Sequence, residues 1–343
     1  MIVLAIETSC DETAAAVLCS ERGLLASEVA SQIAIHQAFG GVVPEVASRN
    51  HLTQLRPVIE TALRQAKIGV EELDAVAATA GPGLATSLMI GTSSAKGLAL
   101  GLNKPFLAIN HMEGHLVSPF FPQTSERGEP SAQDVPIGPA VGLIVSGGHT
   151  MLVDIEAFGR YKLLGRTHDD AAGEAFDKVG KLLGLPYPAG PVIDRLARSG
   201  NPKQFDFPRS MIGSGDFHFS FSGLKTSVRY LLPKLAGTAE YRLEDLCASF
   251  QEAVVDVLVS KTIAATKSAG RTMVALSGGV SCNSRLRERM AQACVRNGLK
   301  LLVADPALCT DNAAMIAFVA LQKMKNKSYS LLSADIDPNL QLV

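Results

Sequence analysis

Short β-branched apolar runs alternate along this chain with polar turns and longer amphipathic stretches. Ile2 to Ile6 reads as a strand, Glu7 to Thr13 as a polar turn, and Ala14 to Cys19 as a second strand. A third strand is expected at Leu24 to Ala30, after the Glu21-Arg22-Gly23 turn. Pro44 then opens a helix, because its fixed φ suits a first helical turn, with Val46, Leu52, Leu55, Val58, Ile59 and Leu63 on the apolar face. Strand Ala75 to Thr79, the loop Ala80 to Gly83, a helix to about Leu100 and strand Phe106 to Ile109 follow. Strand and helix alternating in this way predict an α/β fold.

The pattern restarts after a break. Pro119 to Pro139 is rich in proline and polar residues and reads as a linker. Val141 to Val145, the turn Ser146 to His149 and strand Thr150 to Ile155 then repeat the strand, polar turn, strand order of Ile2 to Cys19. Strand Thr272 to Leu276 leads into a third turn, Ser277 to Asn283, and a helix. Gly-rich turns at strand ends expose backbone N–H groups to phosphate. One such turn is ordinary connection; their recurrence in both halves points to a bound nucleotide. The expected layout is an N-terminal lobe over 1–118, completed by a C-terminal helix at about 310–326, a linker over 119–139, a second lobe over 140–309, and a tail over 327–343.

Composition narrows the class. With 343 residues, 47% of them hydrophobic and 19% charged, the chain has the material for about two cores and lacks the signature of disorder. A net charge of −1 gives no global positive field, so a nucleic-acid partner must be held locally. The start of the chain carries no export pattern, and the most apolar long stretch, Gly83 to Leu102, is broken by Gly, Ser, Thr and Lys96, which excludes a membrane span. Six cysteines without a C-x-x-C pair form no disulfide framework. A reduced, cytoplasmic protein is expected.

Two local patterns carry chemistry. In His111-Met112-Glu113-Gly114-His115 the histidines lie one helical turn apart on one face and can share a metal. Glu113 stands about 180° round the helix from that pair, at about 100° per residue, so it is misplaced for the general base of a zinc protease. Asp311, in Cys309-Thr310-Asp311-Asn312 before the last helix, reads equally as a third ligand or as a first-turn acid behind a Thr310 cap. Two histidines and a carboxylate would favour Fe(II) and tolerate Zn(II). The second pattern is Arg195 to Lys234, with seven basic and two acidic residues, a local charge of +5, interleaved with Phe205, Phe207, Phe217, Phe219, Phe221 and Tyr230. It reads either as a nucleic-acid surface using Arg195, Arg198, Lys203, Arg209, Lys225 and Arg229, or as a core with solvated charges around it.

The motifs taken together resemble a known family. I-E-T-S-C-D-E-T at Ile6 to Thr13, G-G-V-V-P-E at Gly40 to Glu45, T-x-G-P-G-L from Thr79, and H-M-E-G-H at His111 to His115 are followed by L-I-V-S-G-G-H-T from Leu143. Then come D-D-A-A-G-E-A-F-D-K from Asp169, F-S-F-S-G-L-K-T from Phe219, S-G-G-V-S-x-N from Ser277, and C-T-D-N from Cys309. In this order they resemble the TsaD family, from Ile2 to about Phe318. The tail Ser328 to Val343 carries no such block.

The resemblance implies a two-lobed actin-like, sugar-kinase-like ATPase fold with duplicated lobes around a nucleotide cleft. It implies transfer of threonylcarbamoyl from threonylcarbamoyl-AMP, made by a separate synthase, to N6 of the adenosine 3′ to the anticodon in tRNAs reading codons that begin with A. His111, His115 and Asp311 match the metal ligands. Ile144, Val145, Ser146, Gly147 and Gly148 match the phosphate turn, Asp177 and Gly190 the ribose and adenosine contacts, and Asn283 a contact in the second Gly-rich turn; Asp194 matches a position that varies between an acid and other residues. Asp11 and Glu12 are candidate proton acceptors, or turn acids that satisfy backbone N–H groups. The family's non-catalytic paralogue and small ATPase, TsaB-like and TsaE-like, are expected partners, and a homodimer is compatible. A metal-dependent glycoprotein endopeptidase and a non-catalytic actin-like scaffold are the alternative readings; the placement of Glu113 argues against the first and the retained His pair against the second.

Overall fold

The computed structural model describes residues 1–122, 135–235 and 241–343. Much of the expected linker, 123–134, lies outside them. The chain divides into two compact units, Met1–Pro136 with Thr310–Val343, and Ile137–Cys309.

In the first unit, β1 (Ile2–Glu7), β2 (Glu12–Cys19) and β3 (Gly23–Ser31) form an antiparallel meander. Helices α1 (Ile33–Gln37) and α2 (Pro44–Ala66) lead to β4 (Ala75–Gly81), which pairs parallel to β1. Helix α3 (Ala85–Leu102) then crosses to β5 (Phe106–Asn110), parallel to β4, and α4 (His111–Val117) follows without a break. The sheet order is β3-β2-β1-β4-β5. Leu4 and Ile6 of β1 share one core with Leu55, Val58, Ala62 and Leu63 of α2 and Ala95 and Ala99 of α3.

The face of α2 differs from the sequence expectation. Its buried residues are Ala47, His51, Leu55, Val58, Ala62, Leu63 and Ala66, whereas Leu52 is 68% exposed. The buried stripe keeps helical spacing, but small alanines and a histidine carry much of it, and Leu52 falls outside it. His51 is buried because its ring meets the Thr13 hydroxyl at 2.7 Å and the Cys10 carbonyl at 3.0 Å, pinning the turn after β1.

The second unit repeats this topology. Strands β6 (Ala140–Val145), β7 (Thr150–Ala157) and β8 (Arg160–Arg166) form the meander. Helices α5 (Ala172–Leu182), α6 (Gly190–Ala197), α7 (Ser222–Leu235) and α8 (Leu243–Ser268) precede β9 (Met273–Ser277). After α9 (Ser284–Arg296) come β10 (Lys300–Val303) and α10 (Pro306–Cys309). The order β10-β9-β6-β7-β8, with β9 parallel to β6 and β10 parallel to β9, is that of the first sheet. The chain finally returns to the first unit as α11 (Ala313–Lys325), which packs on β1, β2 and α4. Beyond it, Ser330 bridges to Phe106, the Asp337 N–H donates to the Ala80 carbonyl, and the Gln341 carbonyl accepts from the Asn110 amide. Among the described residues no helix is long and apolar enough to cross a membrane.

Candidate metal centre and phosphate turn

The metal candidates all belong to the first unit. Asn110, the last residue of β5, caps α4 by accepting from the N–H groups of Met112 and Glu113 at 2.8 and 3.2 Å. That cap starts the helix at His111 and fixes the phase of both histidines. All seven residues of α4 are buried. Asn312 caps α11, accepting from the Met315 N–H at 2.9 Å, so the expected Thr310 cap is corrected. Asp311 therefore stands one residue before the cap and is not a first-turn acid. Its Oδ1 lies 3.1 Å from His115 Nε2 and 3.4 Å from His111 Nε2. Ligand atoms of the three residues fall within 4.8 Å of one another.

Behind His111 stands a residue that the sequence did not single out. Glu7 is fully buried, and its Oε2 meets His111 Nδ1 at 3.0 Å; the Ser9 hydroxyl meets the same nitrogen at 3.2 Å. The other contacts of Glu7 are the Thr79 hydroxyl and the Ser9 N–H, which both donate to it at 2.5 Å. A carboxylate on Nδ1 holds a proton there and leaves Nε2 to face Asp311, the arrangement common behind metal-bound histidine. Burial opposes the charge on His111, but Asp311 and Glu7 outweigh it and raise its pKa well above the ordinary value. Burial likewise opposes the charge on Asp311 and Glu7, and the histidines hold Asp311 well below its usual range and His111 holds Glu7 below its own. A site that stabilises a proton between two carboxylates has the charge to accept a cation. His115 Nδ1, buried without a hydrogen-bond partner, marks the same ring. The residues fit a divalent metal.

Glu113 turns toward α11, with Oε2 3.8 Å from Lys323 Nζ. Asp11 lies in the turn after β1, and Glu12 is the first residue of β2. Glu12 accepts from the Ser31 hydroxyl at 2.8 Å, and burial, reinforced by Asp11, pushes its pKa up to about 8. The T-x-G-P-G-L motif has a packing reason: a Cβ on Gly83 would stand 2.6 Å from the Ser9 carbonyl, so glycine lets this loop close on the turn behind His111.

The second unit brings the other candidates together. In the turn between β6 and β7 the Ser146 N–H donates to the His149 carbonyl and the His149 N–H to the Ser146 hydroxyl, leaving Gly147 and Gly148 exposed. Gly278 has φ +88 and its Cβ position falls on the Val145 backbone, so the turn after β9 lies directly against the end of β6. Asp177 accepts from the Ala189 N–H at 2.7 Å, one residue before Gly190, and burial raises its pKa. Asp194 accepts from the Ser284 hydroxyl at 2.8 Å and pairs with Arg198 at 3.3 Å. The Asn283 side chain accepts from the Leu286 N–H at 3.0 Å, capping α9, and donates to Gln251 at 2.7 Å.

In the basic stretch the phenylalanines follow the core reading. Phe207, Phe219 and Phe221 are buried in the core of the second unit, and Phe205 and Phe217 pack against it. Tyr230, 69% exposed, is the remaining ring. Phenylalanine at alternate positions marked a core, not a stacking platform. Arg209 is tied to Asp256 at 3.1 Å, while Arg195, Arg198, Lys203 and Arg229 are exposed and Lys225 is half-buried. The first aspartate of the D-D-A-A-G-E block is also structural, since Asp169 accepts from the Ser220 and Ser222 hydroxyls and the Phe221 N–H and so holds the Phe219–Ser222 segment.

Residues 23–318 match the family described as TsaD: tRNA N6-adenosine threonylcarbamoyltransferase. The chain belongs to the TsaD family. A protein of Geobacter sp. (strain M21) named tRNA N6-adenosine threonylcarbamoyltransferase is 51% identical over 318 residues, covering 92% of this chain and 90% of that one. A protein of the same name from Geotalea uraniireducens (strain Rf4) is 50% identical over 339 residues, covering 98% and 96%. Among solved structures, component A of the Acidaminococcus fermentans (R)-2-hydroxyglutaryl-CoA dehydratase superposes with a TM-score of 0.56 at 14% identity, covering 95% of this chain and 99% of that one. That likeness concerns the fold, and with the duplicated sheets it places this TsaD chain among the actin-like ATPase folds.

Proposed function

We propose that the protein transfers the threonylcarbamoyl group from threonylcarbamoyl-AMP to N6 of the adenosine 3′ to the anticodon in tRNAs that read codons beginning with A. The observation that carries this reading is the family match over residues 23–318, with relatives of that activity near 50% identity along almost the whole chain. A mixed anhydride of a carbamate and AMP is already activated, so what the enzyme must do is position a weak amine nucleophile and stabilise charge on the leaving phosphate.

The residues suit that chemistry. His111 Nε2, His115 Nε2 and Asp311 would hold a divalent cation, Fe(II) in preference to Zn(II). When bound, it supplies positive charge to substrate oxygens. Glu7 keeps the proton of His111 on Nδ1, and Asn110 sets the phase of the two rings. Glu12, with its pKa pushed up to about 8, is suited to take the proton that leaves the adenosine amine. In the second unit the Ser146–Gly148 turn offers backbone N–H groups to the adenylate phosphate, and Asp177 and Gly190 supply its nucleoside contacts. Arg195, Arg198, Lys203 and Arg229 offer phosphate contacts to tRNA. TsaB-like and TsaE-like partners are expected to support turnover. The endopeptidase reading has no support in the position of Glu113, which pairs with Lys323.

The test is transfer from threonylcarbamoyl-AMP to unmodified tRNA by the purified protein, with and without the two partners, together with elemental analysis. Threonylcarbamoyladenosine in the digested tRNA and about one metal per chain are expected. Absence of product with both partners and metal present would overturn the proposal.

A further inference from the structure

Cys282 ends the single-turn 3-10 helix Gly279–Cys282 and is exposed. Cys309 ends α10 and is buried. They lie 27 positions apart in sequence, but α10 packs on the Gly279–Cys282 turn and Arg287 joins the sulfurs. Its guanidinium lies 3.5 Å from Cys309 Sγ and 4.0 Å from Cys282 Sγ. Arg287 is in turn held by the Ser281 carbonyl at 2.7 Å and the Ala304 carbonyl at 3.3 Å. The Ser281 hydroxyl donates to Cys309 Sγ at 3.2 Å, fixing the buried sulfur beside the exposed one.

We infer that Cys282 and Cys309 are a peroxide-reactive thiol pair that closes reversibly to a disulfide. The exposed sulfur is the first to react. A hydrogen bond from Cys309 and the charge of Arg287, working against burial, bring the Cys282 thiol down to about 6, so at neutral pH it is largely thiolate, the reactive form. The thiolate attacks a peroxide oxygen: an S–O bond forms, the O–O bond breaks, and the departing hydroxide is neutralised by the proton that the Cys282 thiol released to the buffer, leaving as water. Cys282 is oxidised to the sulfenic acid and the peroxide is reduced. The Cys309 thiol then attacks that sulfur, the S–S bond forms, and the S–O bond breaks with loss of water that carries away the Cys309 proton. A small dithiol reverses the sequence by exchange. The bridge would join the turn leading into Asn283 to Cys309, the last residue of the second unit.

The full-length reduced protein is treated with a few equivalents of hydrogen peroxide, alkylated and mapped by peptide mass. A peptide pair linked through Cys282 and Cys309, released by dithiothreitol, is expected. Cys309→Ser should stop at a Cys282 sulfenic acid that dimedone traps, and Cys282→Ser should keep its thiols at the same dose. First oxidation at Cys10 or Cys19, a bridge between two chains, or a Cys282 that reacts no faster than free cysteine would overturn the assignment. The readout is mass, so its failure is distinct from any failure of the transferase reading.

Discussion

The two units share one topology and use it for opposite charges. Around the turn from β1 to β2 the first unit places Glu7, Asp11 and Glu12; at the matching turn from β6 to β7 the second places Ser146, Gly147 and Gly148. After β5 comes a buried helix with two histidines, whereas after β10 comes the short α10 ending in Cys309. The first unit gathers carboxylate and imidazole side chains suited to a cation. The second exposes backbone N–H groups suited to an anion. The sheet determines where strand ends converge, and the few residues just beyond each strand determine the chemistry there.

The strongest way to break this contrast is His111→Gln, which keeps an N–H group for Glu7 but removes the imidazole. Loss of bound metal by elemental analysis and loss of transfer are expected, with nucleotide binding by the second unit retained; full transfer by a metal-free variant would end the metal assignment. Next is Glu7→Gln, which leaves the ligands in place and removes the charge that orients one of them. A roughly 10- to 100-fold loss of metal affinity is expected from such a change, read by competition with a chelator, and unchanged affinity would make Glu7 a packing residue.

Gly278→Ala tests the other unit. At φ +88, with the Val145 backbone where a Cβ would go, the substitution should cost roughly 1–3 kcal/mol of stability. It should weaken nucleotide binding without lowering metal content. A denaturant melt and elemental analysis of the same sample decide the point. Glu12→Gln is read through the pH dependence of stability. The carboxyl rises from 4.5 to about 8 on folding, so between those values the folded state binds the proton that the unfolded state has lost. Wild-type stability therefore falls as pH rises through that window, and a glutamine does not ionise. The Tm of the variant relative to wild type should climb from pH 5 to pH 8 and then level off; a flat difference would mean that Glu12 is solvated.

Local pattern made much of this legible. The strands around both first turns, the His111 and His115 phase and the Gly-rich turns follow from periodicity within a few residues. Glu7 did not, because its role depends on Thr79 and His111, 72 and 104 positions away, and only the parallel pairing of β1, β4 and β5 brings them together. The same holds for Cys282 and Cys309. In Arg195 to Lys234 the sequence leaves two readings open, since a phenylalanine facing a core and one facing a base look alike until the packing partner is known, and the packing decides for the core. On α2 the apolar residues alone do not mark the buried face, because Ala47, His51, Ala62 and Ala66 carry much of it while Leu52 is exposed.

The return of the chain to the first unit has a consequence for biogenesis. The histidines of α4 are made early, but Asp311 is made 196 residues after His115. At about 5–20 residues per second of synthesis, roughly 10–40 s separate them on the ribosome. A nascent chain therefore carries the two imidazoles and Glu7 but lacks Asp311 while the second unit is being made. The set His111, His115 and Asp311 is therefore complete only after the whole second unit, which ends at Cys309, has been translated.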